Sequence, residues 1–291
     1  MTHATSVQHP KAKNLFADAW HGLIKNKMAV VGACVLLFFI FVAIFADFIA
    51  PYPADAQNWD HIMEPPSSQF LLGTDSYGRC VFSRIVYGSR ISLLVGFVAV
   101  AFSAIGGGII GACAGYFRGR LDNVLMRLMD VLLAIPSILL AIAIVNILGP
   151  SLLNVMIAVG LSTMPSFARI VRAAVLSIRD SEFIEAAVAI GDSTPAIILH
   201  NILPNCMAPI IVQATLGVAS AILSAAGLSF LGLGLQPPSP EWGAMLSEGR
   251  AYIYNAPWLT ICPGVSIVLI VLSLNLFGDG LRDALDPKLK Q

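Results

Sequence analysis

The stretch Asp180–Asn205 reads DSEFIEAAVAIGDSTPAIILHNILPN and lies between long apolar blocks. Asp180 or Ser181 can cap a helix start, and Glu182 falls in the first turn, where the helix dipole favours negative charge. Gly191 stands where helices commonly stop, and the Ser-Thr pair after it can cap a second short helix that Pro204 ends. The stretch therefore predicts two short helices joined by a tight turn outside the bilayer.

The composition places the whole chain in a membrane. Its 291 residues are 57% hydrophobic and 12% charged, with a mean hydropathy of +0.81. Soluble domains carry about 25% charged residues. The formal net charge is zero, so no basic face for nucleic acid is predicted. We expect an all-α integral membrane protein, with lipid as its surroundings and no nucleic-acid partner.

Six apolar blocks are long enough to span a bilayer, which takes about 20 residues of helix. They are Met28–Phe48, Ile91–Gly115, Leu128–Leu148, Leu153–Val175, Pro209–Leu235 and Pro257–Gly278. The fourth is the weakest, because Pro165 interrupts it. Residues 1–27 are polar and precede a long apolar block, which does not match a cleaved signal peptide.

The basic residues predict an orientation for these six spans. With the N-terminus inside, 13 of the 17 lysines and arginines fall in cytoplasmic segments, leaving Arg79, Arg84, Arg90 and Arg250 outside. The inside positions include Lys11, Lys13, Lys288 and Lys290. Cytoplasmic loops carry such an excess, so both termini and the Asp180–Asn205 stretch are expected inside.

The sequence lacks the motifs of the common catalysts. It contains no P-loop, HExxH or GxSxG pattern, and its five cysteines have no CxxC or Cys/His spacing. No ionisable residue falls at the centre of a predicted span, which weighs against a proton-coupled carrier. Asp130 is expected to pair with Arg127, three residues earlier. We therefore predict no enzyme activity, no catalytic residue, no metal and no cofactor in this chain.

Glu185-Ala186-Ala187 is followed by Gly191 and then by Ile202-Leu203-Pro204. Spacing alone fits an ordinary helical hairpin equally well. The pattern resembles the EAA loop of ABC importer permeases, although the Ile comes one position later than in that family. The loop docks there on an ATPase subunit. The resemblance implies that the coupling contacts are Glu182, Glu185, Ala186, Ala187, Gly191 and Asp192.

Residues 73–93 fit the pattern GTD-x-x-GR-x-x-x-SR-x-x-x-G-x-R-x-SL. Chemistry alone allows its arginines to reach toward lipid headgroups. The pattern resembles the peptide and nickel importer branch of the same permeases, and it departs at Cys80, where that branch commonly has Asp. The Pro-rich run before Gly243, with a Trp242 expected to be exposed at the interface, and the tail from Asn275 to Pro287 resemble the same branch. Binding-protein contacts are then implied for Asp75, Arg79, Glu241 and Trp242.

These resemblances imply a type I ABC importer permease fold in a bacterial inner membrane. Residues 1–88 would contain the cytoplasmic N-terminal segment, the first span and the external loop. Residues 89–278 would form the permease domain, which includes the loop at 180–205. Residues 279–291 would form a cytoplasmic tail. Expected partners are a homologous second permease in a heterodimer, two ATPase subunits carrying ATP and Mg²⁺, a periplasmic or lipid-anchored substrate-binding protein and a peptide substrate. Nickel, glutathione or antimicrobial peptides are alternative substrates; a secondary carrier or a membrane scaffold is the alternative class.

Overall fold

The computed structural model describes residues 22–285, and the regular secondary structure of that part is helical apart from one isolated β-bridge between Thr74 and Cys80. We label its longer helices α1 Lys27–Ile44, α2 Val81–Phe117, α3 Gly119–Leu133, α4 Ser137–Leu148, α5 Leu152–Ile178, α6 Glu182–Ala189, α7 Met207–Phe230, α8 Trp242–Gly249 and α9 Trp258–Leu285. Lys11, Lys13, Lys288 and Lys290, which contribute to the predicted orientation, lie outside the described residues.

Five helices, α1, α2, α5, α7 and α9, are long and apolar enough to cross a membrane. The predicted third span, Leu128–Leu148, is not one continuous helix. It is divided between α3 and α4, which meet at 89°, and only together do they qualify as a sixth span. The break falls at Pro136, whose ring disfavours a helical conformation in the residue before it.

The predicted fourth span is a continuous helix, although its sequence suggests an interruption. Pro165 does not interrupt α5, which is continuous over 27 residues with the proline inside it. The helix packs closely on α2, because a Cβ at Gly107 or Gly115 would lie only 2.6 or 3.0 Å from a carbonyl oxygen of α5. Small residues allow this approach of two backbones, and the packing supports the proline-containing turn from outside.

Helix α2 connects the two regions that the sequence singled out. At 1.5 Å per residue its 37 residues are about 55 Å long, which exceeds a hydrocarbon core of about 30 Å. Arg84 in its first turn contacts Asp75, and Ala112 near its other end packs in the same apolar cluster as residues of the Asp180–Asn205 stretch. A single continuous helix therefore runs between the two candidate sites.

Candidate functional site

The Asp180–Asn205 hairpin begins with α6 and turns at Gly191, as predicted. The Asp192 amide donates to the Ala187 carbonyl and the Gly191 amide to the Val188 carbonyl, both at 3.1 Å. This pair of bonds is a Schellman motif, which requires a left-handed residue, and Gly191 has φ +89°. Gly191 thus ends α6 by its backbone conformation.

Three details of the predicted hairpin are wrong. Ser193 precedes the second helical stretch but makes no side-chain cap. Ser181 precedes α6 but makes no side-chain cap; its hydroxyl donates back to the Ile178 carbonyl at 2.6 Å. The second helical stretch does not end at Pro204. It runs from Thr194 to Asn205 through a π-helical turn, Ile197–Ile202, and breaks at Cys206. The wider π turn accommodates the proline, which has no N–H to donate.

One side of the hairpin is anchored to the rest of the chain. Its buried apolar residues pack against Ala112 of α2 and against Val171 and Val175 of α5. The hairpin contributes Ile184, Ala187, Ile197, Ile202 and Cys206 to this cluster. Burial also raises the pKa of the Cys206 thiol to about 11. Arg118, just after α2, adds an ion pair with Asp180 at 2.6 Å.

The opposite side of the hairpin is open. Among the predicted coupling residues, Glu182, Glu185, Ala186, Gly191 and Asp192 are exposed, together with the apolar side chains of Phe183, Val188 and Ile190. Ala187 is different, because it is buried in the anchoring cluster. A groove of about 390 Å³ runs beside Glu185 and is lined by Tyr116, Phe117 and Arg179. Exposed apolar groups among acidic ones are typical of a surface that binds another protein.

A second cluster lies at the other end of α2, and we call Asp75, Arg79, Arg84 and Glu248 the arginine cluster. Arg79 Nε is 2.6 Å from Asp75, and one Glu248 oxygen accepts from Arg79 at 2.9 Å and from Arg84 at 3.0 Å. The two arginine side chains are only 2% and 1% exposed, so they do not extend toward headgroups. Buried charges require such partners.

Arg84 and Glu248 were not among the predicted site residues. The sequence did contain an electrostatic signal. Glu248 is a carboxylate in a segment predicted to lie on the same side of the membrane as Arg79 and Arg84, although it is far from them in sequence. It lies in α8 and joins that helix to the start of α2. The cluster therefore connects two segments that are predicted to lie outside and that only folding brings together.

Trp242, expected to be exposed, is fully buried, which overturns that prediction. Its ring packs edge-on against Phe39, with centroids 5.6 Å apart, and its Nε1 donates to the Ile85 carbonyl at 3.1 Å. Glu241 caps α8 by accepting from the amides of Gly243 and Ala244, both at 2.9 Å. Burial raises the pKa of the Glu241 carboxyl above its usual value, against the lowering effect of those bonds.

Asp75, Arg79, Glu241 and Trp242 are thus all buried within this chain. They hold together the segments that are predicted to lie outside, and binding-protein contact by their side chains stays a prediction. Cys80 is also buried; it stands directly before α2 without making a side-chain cap. Asp130 bonds to Arg169 of α5 at 2.6 Å, so the predicted pairing with Arg127 is wrong.

The structure defines a multi-span helical membrane protein with the type I ABC importer permease fold. Crystal structures of the methionine ABC transporter MetNI in inward-facing conformations share this fold, with a TM-score of 0.58 and 21% identity over 70% of this chain and 96% of that one. Residues 104–291 match the family described as binding-protein-dependent transport system inner membrane component. Residues 14–66 match the N-terminal transmembrane domain of oligopeptide transport permease C.

The chain belongs to the binding-protein-dependent transport system inner membrane component family. It is 52% identical to the dipeptide transport system permease protein DppC of Alkalihalophilus pseudofirmus, over 94% of this chain and 90% of that protein. The di/tripeptide transport system permease protein DppC of Pseudomonas aeruginosa is 48% identical, over 94% of this chain and 92% of that protein. The glutathione transport system permease protein GsiD of Escherichia coli is 46% identical, over 98% of this chain and 94% of that protein. The chain is therefore a multi-pass permease of a bacterial inner membrane.

Proposed function

We propose that this chain is a permease subunit of an ATP-driven importer that moves dipeptides or short peptides across the inner membrane. The peptide substrate is carried over from relatives at 52% and 48% identity that are named for dipeptide and di/tripeptide transport. This chain supplies no P-loop, so ATP and Mg²⁺ are bound by two separate ATPase subunits. A homologous second permease completes the pathway, and a substrate-binding protein delivers the peptide. The permease domain extends over 89–278, and both termini are cytoplasmic.

One observation carries the coupling role: the hairpin is anchored by one face and open on the other. Its anchored residues contact α2 and α5, so force applied to the open face is passed directly to two long helices. Glu185 and Ala186 lie on that open face, and Gly191 fixes the turn beside it. We propose Glu182, Glu185, Ala186 and Asp192 as contacts with an ATPase subunit, and Ala187 as part of the anchor.

The four predicted binding-protein residues have a complementary structural role in this proposal. Asp75, Arg79, Glu241 and Trp242 support the outer surface on which a binding protein docks, because their side chains are buried beneath it. The residues that meet the binding protein directly would then be exposed neighbours such as Tyr77.

The coupling role is tested by Glu185→Lys, which reverses one exposed charge without disturbing the anchor. Uptake of labelled dipeptide and transport-coupled ATP hydrolysis should both fall, with membrane insertion unchanged. Asp60→Lys, the same charge reversal at an exposed position outside the spans and away from the hairpin, is the matched control. Normal uptake and ATP hydrolysis by the Glu185→Lys complex would refute the coupling role.

Glutathione is a second candidate substrate, because the chain is 46% identical to permeases named for glutathione transport. Uptake assays with labelled dipeptide and labelled glutathione, each competed by the other, distinguish the two. A dipeptide importer should be inhibited by dipeptides and not by glutathione.

A further inference from the structure

Helix α3 carries an apolar stripe that this chain does not cover. Leu121, Val124, Leu128 and Val131 follow one another at intervals of three and four residues, which places them on one helix face. Each is at least 43% exposed. The buried residues of the same helix, Asp122 and Met129, lie on a different face. The stripe is therefore a separate surface, distinct from the face that packs on the protein.

A basic edge runs beside this stripe. Arg120 and Arg127 are seven residues apart, so they lie on the same side of α3, about 70° around the helix from the centre of the stripe. Both are exposed, and neither has a carboxylate within ion-pair distance in residues 22–285. The nearby arginines Arg118, Arg169 and Arg172 are all paired with aspartates. Arg120 and Arg127 thus leave positive charge beside the apolar stripe.

The depth of α3 follows from its ion pairs with α5. Asp130 bonds to Arg169 and Asp122 to Arg172, each at 2.6 Å. These arginines lie about 26 to 30 Å along α5 from Leu152, which is the thickness of a hydrocarbon core. Helix α4 leaves α3 at 89° and runs back along α5. A 15-residue helix is about 22 Å long, too short to span a bilayer. These distances place α3 along one edge of the hydrocarbon.

We propose that α3 is an interfacial helix that binds the anionic phospholipid surface of the membrane. Its stripe enters the boundary between headgroups and acyl chains, and Arg120 and Arg127 bind anionic headgroups from the edge of the stripe. An apolar face flanked by basic residues is the pattern of helices that lie in this interface, and their arginines are attracted to negatively charged lipids. The charge complementarity favours lipid over a second protein chain as the occupant. The proposal is independent of the transported substrate.

Photo-crosslinking in native membranes identifies what covers the stripe. Benzoylphenylalanine is placed at Val124 of the full chain, and at Ile190 on the open face of the hairpin as the comparison. The Val124 probe should give phospholipid adducts, detected by mass spectrometry after proteolysis. A Val124 crosslink to another polypeptide would assign the stripe to a protein interface and overturn the proposal.

The electrostatic part is tested with the purified chain in nanodiscs of phosphatidylcholine, with or without phosphatidylglycerol. Amide exchange of residues 119–133 should be about tenfold slower with the anionic lipid. The double variant Arg120→Gln/Arg127→Gln should lose this difference, whereas Arg250→Gln should keep it. Equal exchange of the wild-type chain in both lipids, or an unchanged difference in the double variant, would overturn the role of the two arginines.

Discussion

Arg79 donates to Glu248 at 2.9 Å across 169 positions of sequence. The same Glu248 oxygen accepts from Arg84, so one carboxylate holds two nearly inaccessible guanidinium groups. Asp75 is the second anion of the arginine cluster, and it also accepts from the Arg79 amide at 2.9 Å. The start of α2 and helix α8 are therefore joined by charge as well as by apolar packing.

Glu248→Gln should lower the thermal stability of the purified chain. The substitution leaves two buried arginines with a single carboxylate, and breaking a buried pair costs about 3–5 kcal/mol. Asp47→Asn is the matched control, because Asp47 pairs with Arg90 at 2.9 Å in an exposed position, where water screens the pair and its loss should change stability little. Thermal unfolding in detergent measures both. Equal shifts for the two variants would contradict a strong contribution from the cluster.

Cys80→Asp should stabilise the chain. Cys80 stands at the N-cap of α2 and its thiol caps nothing, whereas an Asp side chain can accept from the free amides of the first turn. The gain should be about 1 kcal/mol by unfolding in detergent. Cys80→Ala offers no acceptor and should bring no such gain. A Cys80→Asp protein less stable than Cys80→Ala would show that burying the carboxylate outweighs the cap.

Gly191→Ala should loosen the turn after α6. A Cβ at Gly191 meets no atom within 4 Å, so the cost is conformational, about 1–2 kcal/mol for a left-handed residue. Amide exchange of the α6 peptide should accelerate, and dipeptide uptake should fall. Asn tolerates this conformation better, so Gly191→Asn should lie closer to wild type. If the α6 amides exchanged at the same rate in both variants, the stability of α6 would not depend on the left-handed conformation at residue 191.

Cysteines at the adjacent positions 186 and 187 should react differently with a membrane-impermeant maleimide. In inside-out vesicles Ala186→Cys should be labelled and Ala187→Cys protected, because Ala187 is 7% exposed and Ala186 lies on the open face. Native Cys206 should not react, since burial raises its pKa to about 11 and leaves it a protonated thiol. Adding ATPase subunits should protect Ala186→Cys. Labelling in right-side-out vesicles instead would reverse the proposed orientation.

Glu241 should make stability fall with rising pH. Burial raises its folded-state pKa above the ordinary value of 4.5, so the unfolded chain releases this proton first. Its contribution is complete below pH 4.5 and is lost as pH rises through the folded pKa. Glu241→Gln keeps an acceptor without the titration. The unfolding temperatures of the wild type and of Glu241→Gln are compared from pH 4 to 8, and the difference between them should change with pH. A difference that stays constant would contradict this assignment.

The Asp180–Asn205 hairpin shows which features can be predicted from sequence and which cannot. The Asp180–Asn205 pattern predicts the end of α6 at Gly191, because a left-handed turn depends on local backbone sterics. It does not predict the π turn at Ile197–Ile202 or the burial of Ala187. Both depend on how the hairpin packs against α2 and α5. Likewise the apolar blocks predict spans, and the 89° bend between α3 and α4 appears only in three dimensions.

The sequence by itself determined that this chain is a helical membrane protein of the importer permease family, because transfer of apolar segments into lipid and the spacing of the EAA pattern are local properties. The tertiary structure decided the pairings. Asp130 bonds to Arg169 rather than to Arg127, Glu248 holds Arg79 and Arg84, and Trp242 is buried. A charge or ring in a low-dielectric interior takes the partner that packing brings nearest, and that partner is often distant in the chain.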